Sequence, residues 1–274
     1  MPNYQDLETK GFLVIKNFFS NELVSTLIDD YKSQKELFLK FGGNNKNYGV
    51  INSRHFLSNN LAPLLQEISR ESNITVNITR PFSAYFDNNI TNFGWHQDHE
   101  PYYIFQDMYN AINCWIPIIK ADKSKGGLGI LPNDVLESRC PDLFKNQLLG
   151  RGAKSFKILE DHTTLMNNDD IGGSTILPFN IDELAVYPDM SPGDLLVLRQ
   201  DVIHKTQDTS SERVSVSVRC LNSNTILTKK HFLSGPDKKK EMINKNQSAY
   251  SKLIKKFVDE DIETISIYNF LNNI

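Results

Sequence analysis

The sequence predicts a mainly β fold, a sandwich or jelly roll with flanking helices. From residue 74 onward, many short strand-like segments alternate with turns rich in Gly, Pro, Asn and Asp, which is typical of these folds. The chain has 274 residues, of which 39% are hydrophobic. That length suits one all-β domain with additions. Because no internal repeat or low-complexity linker divides the sequence, we expect a single domain over residues 1–274.

Helices are expected before the β region, between residues 17 and 70. An apolar run over residues 11–15 predicts a short first strand. A long amphipathic helix, ending near Phe41, is predicted by apolar side chains at helical spacing. These side chains are Leu23, Val24, Leu27, Ile28 and Tyr31. A second helix is expected over residues 62–70.

The jelly-roll core is expected over residues 74–222. Alternation of apolar and polar residues starts at Ile74 and predicts a half-buried strand. The further strand candidates are 83–86, 95–98, 111–119, 128–131, 184–187, 195–199 and 213–221. Residues 134–188 have a looser pattern and are interpreted as an irregular insertion, either a lid or substrate loop or a surface addition. A helical tail is expected over 236–274, with a docking face formed by Tyr250, Leu253, Ile254 and Phe257.

Composition excludes some classes of function and location. A net charge of −3 argues against a nucleic-acid partner, which needs a basic surface. The first ten residues lack an apolar signal-peptide core, and no run approaches the roughly 20 apolar residues of a membrane span. Cys114, Cys140 and Cys220 show no paired spacing and are interpreted as reduced thiols. We therefore expect a cytoplasmic protein without a membrane partner, of undetermined oligomeric state.

Two segments carry residues that are suited to a metal site. His96 and Asp98 are two residues apart, so on a strand both side chains point to one face. His204 comes just after an apolar strand over residues 195–198. Two histidines and one carboxylate form the triad that holds non-haem Fe(II) and leaves coordination positions open. Taken alone, the pair is a weak signal, and a strand-end histidine beside a solvated aspartate fits it better; the downstream segment with His204 favours the metal site.

The strand that follows His204 has a polar face. Arg213, Ser215, Ser217 and Arg219 alternate there with three valines. This face either meets water at a sheet edge or lines the inside of a barrel. In a barrel, an arginine fork suits bidentate recognition of a carboxylate.

In order along the chain, six groups of residues resemble the phytanoyl-CoA dioxygenase family of Fe(II)- and 2-oxoglutarate-dependent oxygenases. The similarity extends from about residue 8 to residue 222. The groups are Gly11-Phe12-Leu13-Val14-Ile15 with Phe18-Phe19, Trp95-His96-Gln97-Asp98, Trp115-Ile116-Pro117-Ile118, Gly126-Gly127-Leu128-Gly129-Ile130-Leu131-Pro132, Pro192-Gly193-Asp194, and His204 with Arg213. The resemblance implies a double-stranded β-helix, a cupin-like jelly roll.

The resemblance also implies cofactors and roles. The cofactors are Fe(II), 2-oxoglutarate as co-substrate, and O₂. The implied iron ligands, which are also the catalytic residues, are His96, Asp98 and His204. The implied 2-oxoglutarate contacts are Arg213, Ser215, Thr206 and Trp115, with Arg219 as a competitor for the role of anchor. The competition arises because only nine residues separate His204 from Arg213, a short spacing for this family. The Arg-x-Ser pattern at Arg213 nevertheless favours it.

The substrate is the least determined part of the sequence-based assignment. After Pro132, this chain has Asn133-Asp134-Val135 where the family usually continues Gly-Ser-His, so no substrate role is carried over to that turn. Candidate substrate contacts are Tyr85, His99, Tyr102, Tyr103 and Arg219. Strand alternation would place His99 on the face opposite His96, so His99 is expected not to bind the metal.

The expected activity is hydroxylation of an unactivated C–H bond of a small molecule, with release of succinate and CO₂. Desaturation, epoxidation or ring formation is an alternative outcome of the same chemistry. A carboxylate at Asp98 disfavours halogenation, because related halogenases leave that position open for chloride. A non-catalytic jelly-roll binding protein, or a cupin-type isomerase or hydrolase, is the alternative from another class.

Overall fold

The β-strands form two large antiparallel sheets. The computed structural model describes residues 2–40, 47–50, 52–87, 92–105, 110–208, 210–245 and 247–272. The strands of the first sheet are β1 Phe12–Ile15, β2 Asn47–Gly49, β3 Ile78–Asp87, β5 Ala111–Lys120, β10 Leu195–Arg199 and β12 Arg213–Leu221. Those of the second sheet are β4 His96–Gln97, β6 Leu128–Ile130, β7 Lys154–Ile158, β8 Thr163–Asn167, β9 Ser174–Leu177 and β11 His204–Thr206. The first sheet has the order β1-β10-β5-β12-β3-β2, and the second has the order β6-β11-β4-β7-β8-β9. The arrangement is the jelly roll that the sequence predicts.

Three N-terminal helices contribute to the core on one side of the first sheet. These helices are α1 Gln5–Thr9, α2 Asn21–Lys40 and α3 Arg54–Glu71. The predicted amphipathic face of α2 is confirmed, since Leu23, Leu27 and Tyr31 are buried against the sheet. The second helix begins at Arg54, eight residues before its predicted start, and continues through Pro63.

Strand β12 has one face in the hydrophobic core and the other in the space between the two sheets. Its three valines pack into the core shared with α2 and α3. Because side chains alternate along a strand, Arg213, Ser215, Ser217 and Arg219 all point to the other side, between the two sheets. The strand is central, paired with β5 on one side and β3 on the other. The interpretation of an edge strand facing water is therefore wrong.

The prediction of an irregular insertion over residues 134–188 is also wrong. This stretch contains β7, β8 and β9, which extend the second sheet outward from β4. It also contains two short helices, α5 Asn133–Arg139 and α6 Pro141–Leu143, and a π-helical turn over Phe144–Leu148. The strands were missed because their outward positions carry polar residues and few β-branched apolar ones. The strand predicted over 184–187 does not form. A 3₁₀ turn over Ile181–Leu184 is followed instead by a single β-bridge between Val186 and Ile130.

The C-terminal segment forms a helical unit with its own apolar cluster. Its elements are β13 Ile226–Thr228, α7 Lys229–Leu233, α8 Asp237–Lys245, α9 Gln247–Ile254, a π-helical turn Lys255–Asp259, β14 Thr264–Ser266 and α10 Ile267–Asn272. The expected docking face is confirmed: Tyr250, Leu253 and Phe257 are buried. They pack in one cluster with side chains of α4, His99–Ile104. Within the described residues, no helix is long and apolar enough to cross a membrane.

Candidate active site

The three predicted metal ligands come together between the two sheets. His96 in β4 and His204 in β11 are direct partners across an antiparallel pair. Asp98 follows β4 in extended backbone, at the position that precedes α4. One donor atom from each of the three side chains lies within 4.8 Å of the others. Predictions based on strand alternation and on the resemblance thus converge on one cluster.

Backbone carbonyls orient both imidazole rings. His96 Nδ1 lies 2.7 Å from the carbonyl oxygen of Gly94, and His204 Nδ1 lies 2.9 Å from that of Val202. Because a carbonyl only accepts, each Nδ1 donates to it, and Nε2 is the ring nitrogen that lies toward Asp98. Burial lowers the pKa of His204 to about 4, so its ring is neutral at physiological pH. Both rings are therefore oriented to bind a metal through Nε2.

Asp98 is ionised and presents one oxygen to the histidines. Its Oδ1 lies 3.5 Å from His96 Nε2 and 3.8 Å from His204 Nε2. Its Oδ2 accepts a hydrogen bond from Arg219 Nη1 at 2.5 Å. Burial alone would raise the pKa of Asp98, but the Arg219 charge and the contact with His96 outweigh it and hold the pKa well below its usual range. Two imidazoles and one carboxylate make a donor set suited to Fe(II).

These donors face a cavity of about 580 Å³ enclosed by the two sheets. Its size lies within the range of small-molecule sites. Aromatic side chains supply much of the apolar wall, namely Phe86, Phe93, Trp95, Trp115 and Phe156. The polar lining comprises the metal cluster, the inward face of β12, and His99, Glu100, Asn113, Ser155 and Thr206.

Arg213 lies at one end of the cavity and is 3% exposed. Its Nη1 donates to the carbonyl oxygens of Gly126 and Gly127, at 3.2 and 3.4 Å. Its guanidinium carbon is 5.8 Å from the centre of the Trp115 ring. Burial lowers the pKa of Arg213 to about 10, against the opposing charges of Asp208 and Asp87. The side chain therefore remains a cation at physiological pH, in a place where an anion would be sheltered from water.

The other expected co-substrate contacts surround Arg213. The Ser215 hydroxyl lines the cavity and is buried without a hydrogen-bond partner in the described part of the chain. Thr206 Oγ1 accepts from the Phe93 backbone N–H at 3.1 Å, so its own O–H proton is available to a ligand. Trp115 is 4% exposed and lies opposite Ser217 across the β5–β12 pair. All three line the same cavity as Arg213.

The opposite end of the cavity is formed by the start of α4. His99 lines the cavity but is not among the three clustered donors. Its Nε2 lies 3.2 Å from Asn168 Nδ2, which also donates to Ser155 Oγ at 2.9 Å. Burial lowers the pKa of His99 to about 4, which keeps the ring neutral. Glu100 lines the cavity as well and accepts a hydrogen bond from the Tyr250 hydroxyl at 3.0 Å.

Three tyrosines proposed as substrate contacts lie elsewhere. Tyr85 is fully buried on the helix side of the first sheet, where its hydroxyl donates to Asp30 at 2.8 Å. Tyr102 and Tyr103 are buried in the cluster with the C-terminal unit. None of the three lines the cavity, so we do not retain them as substrate contacts. Tyr102 and Tyr103 belong to the short helix α4, which packs against the C-terminal unit, and a strand-based interpretation did not anticipate this helix.

Sequence reasoning missed several cavity residues. Asn113 lies two residues before Trp115 on β5, on the same face, and accepts a hydrogen bond from Ser217 at 2.7 Å. Strand alternation from Trp115 would have identified it. Glu100 and Ser155 carried no such signal, because they reach the cavity through a short helix and a strand that the sequence did not reveal.

The fold and the site define a jelly-roll protein with a 2-His-1-carboxylate cluster. A sequence model of the family described as phytanoyl-CoA dioxygenase (PhyH) matches residues 7–215. The chain belongs to this family. Its members are oxygenases that use iron and 2-oxoglutarate, and the donor set described above fits those cofactors.

Solved structures share the fold at low sequence identity. EctD from S. alaskensis, solved with 2-oxoglutarate and 5-hydroxyectoine, is 12% identical over 82% of this chain and 76% of its own, with a TM-score of 0.51. EctD in its apoform is 15% identical over 85% and 80%, with a TM-score of 0.52. AviO1 from Streptomyces viridochromogenes Tue57 is 12% identical over 81% and 95%, with a TM-score of 0.50. No curated protein sequence matches the chain.

Proposed function

We propose that the protein hydroxylates an unactivated C–H bond of a small molecule, using Fe(II), 2-oxoglutarate and O₂. The observation that carries this proposal is the cluster of His96, Asp98 and His204, which opens into a cavity with a buried arginine at one end. With these cofactors bound, 2-oxoglutarate is oxidised to succinate and CO₂ while one oxygen atom enters the substrate. Family membership supports this class of reaction.

The role of the protein's own residues would be to bind and orient the cofactors. His96 Nε2, His204 Nε2 and Asp98 Oδ1 would hold the iron from one side. Three ligands leave further coordination positions for the co-substrate and O₂.

Arg213 would bind the far carboxylate of 2-oxoglutarate. Its guanidinium fork suits a carboxylate, and the hydroxyls of Ser215 and Thr206 supply further donors beside it. Arg219 is less suited to this role because it is engaged by Asp98. The two arginines are six residues apart on β12, so their backbone positions are separated by roughly 20 Å at 3.3 Å per residue. They would therefore lie at opposite ends of the cavity.

The substrate would occupy the end lined by His99, Glu100 and Ser155. These side chains offer a neutral imidazole, a carboxylate and a hydroxyl, which suit a small polar molecule. The presence of 5-hydroxyectoine in the EctD structure agrees with a hydroxylated small molecule as the product of this type of cavity. Desaturation or ring formation in the same cavity would give a different product mass.

The test is turnover of 2-oxoglutarate by the iron-loaded protein, measured as succinate. Asp98→Ala and His204→Ala should each abolish succinate formation, because each removes one of three iron ligands. His162→Ala is the matched control, since His162 lies on β7–β8 connecting backbone next to Asp161, outside the cavity. Full turnover in either ligand variant would refute the assignment. Once a substrate is identified, a product heavier than the substrate by one oxygen indicates hydroxylation. A product lighter by two hydrogens indicates desaturation or ring formation.

A further inference from the structure

Arg219 makes a contact that the co-substrate hypothesis does not explain. Its Nη1 donates both to Asp98 Oδ2 at 2.5 Å and to Gln200 Oε1 at 3.0 Å. The side chains of Arg219 and Asp98 are only 18% and 10% exposed. A charge-assisted bond in such a place is stronger than one at the surface. Arg219 is thus committed to the carboxylate of the metal cluster.

The backbone around Arg219 supports a dedicated position. The register between β12 and β3 shifts between Val218 and Cys220, so Arg219 lies at an irregularity of the ladder. Such irregularities re-aim side chains and are frequent beside active sites. Gln200 is 1% exposed, and its backbone N–H donates to the carbonyl of Ala111 at 3.2 Å. Gln200 is therefore a buried acceptor for the guanidinium.

The two oxygens of Asp98 consequently have different environments. Oδ2 is occupied by Arg219, whereas Oδ1 faces His96 Nε2 and His204 Nε2. We propose that Arg219 is a positioning residue that holds Asp98 so that it offers a single oxygen to the metal. A carboxylate held by one oxygen leaves free a coordination position that a bidentate carboxylate would fill. This inference rests on the proposed function, because it assumes that the cluster binds iron.

The inference predicts how a loss of Arg219 would act on the metal alone. Without Arg219, Asp98 rotates freely and its Oδ2 loses its donor. Loss of a partner that orients a metal ligand typically weakens metal affinity about 10- to 100-fold. Electrostatics alone predicts the reverse, since removal of a nearby positive charge favours a dication. The sign of the change therefore distinguishes positioning from charge repulsion.

The experiment is a titration of the full-length apoprotein with Co(II), without 2-oxoglutarate, followed by visible absorption. Arg219→Met should weaken Co(II) affinity by 10- to 100-fold and change the ligand-field spectrum, because the carboxylate mode changes. Arg219→Lys keeps a cation that can donate to Oδ2 and should recover part of the affinity. Gln200→Leu should change the affinity in the same direction by a smaller factor. Circular dichroism establishes that each variant is folded, and Gln200→Leu decides the question if Arg219→Met does not fold.

Arg139→Met is the control, because Arg139 is an exposed arginine at the end of α5. It should leave Co(II) affinity and spectrum as in the wild type. Unchanged or tighter Co(II) binding in Arg219→Met, with an unchanged spectrum, would overturn the positioning role while the proposed function stands. Failure of the wild-type protein to bind Co(II) would instead remove the proposed function itself.

Discussion

Replacement of Arg213 by Met should selectively destroy binding of 2-oxoglutarate. Arg213 is 3% exposed and is charged at neutral pH despite burial, and the carbonyl oxygens of Gly126 and Gly127 and the face of Trp115 lie close to its guanidinium. Removing one partner of a buried, hydrogen-bonded ion pair costs about 3–5 kcal/mol, because the remaining charge is left uncompensated. At about 1.4 kcal/mol per factor of ten, the dissociation constant should rise by about 100- to 4000-fold.

The assay is an anaerobic titration of the Mn(II)-loaded protein with 2-oxoglutarate, followed by calorimetry. Arg213→Lys should retain part of the affinity, since it keeps the charge and loses the fork geometry. Arg139→Met is the matched control, because Arg139 is an exposed arginine at the end of α5 and should leave the affinity unchanged. A loss smaller than threefold in Arg213→Met would refute the assignment of Arg213 as the anchor.

Three further predictions concern the co-substrate site and stability. Ser215→Ala should weaken 2-oxoglutarate binding about fivefold, because it removes a hydrogen bond of about 1 kcal/mol. The thermal midpoint should be unchanged or higher, since the Ser215 hydroxyl is buried and has no hydrogen-bond partner among the described residues. A clear loss of stability would contradict this. Phe257→Ala should lower the free energy of unfolding by about 3–5 kcal/mol, since Phe257 is fully buried. Denaturation should remain a single transition if the C-terminal tail and the jelly roll form one domain. Val258→Ala, at a 51% exposed position, is its control, and equal effects would exclude the docking role. Burial, together with the positive charge of Lys239, lowers the pKa of His231 to about 4. The folded state therefore favours the neutral ring, and the stability that this contributes above pH 6.5 should be lost as the pH falls toward 4. His231→Gln should flatten that dependence in acid denaturation curves, and an unchanged slope would contradict it.

The parts of the fold that were predictable are those in which burial imposes a period on the sequence. Strand β12 alternates because one face packs against helices and the other lines the cavity. Helix α2 carries its apolar side chains on one face for the same reason. By contrast, β7–β9 lie toward the outer edge of the second sheet, where one face is partly exposed and tolerates polar residues such as Lys157 and Thr164. Their sequence therefore resembles a loop.

The candidate site was predictable to the extent that it depends on local spacing. The separation of two between His96 and Asp98 indicates one face of a strand, and the chain order of the motifs supplied His204 and Arg213. The contact between Arg219 and Asp98 joins residues 121 positions apart, so no local pattern could reveal it. Likewise, the Tyr85 assignment was wrong because residue type alone does not tell which side of a sheet a tyrosine faces.

The most direct measurement is an anaerobic titration of the apoprotein, first with Fe(II) and then with 2-oxoglutarate, monitored by visible absorption. If the cluster and Arg213 form the site proposed here, a charge-transfer band typical of an iron-chelated 2-oxo acid should develop and be absent in Asp98→Ala. If iron binds but no band develops, the co-substrate assignment is wrong. A non-catalytic metal-binding protein would then explain the cluster better than an oxygenase.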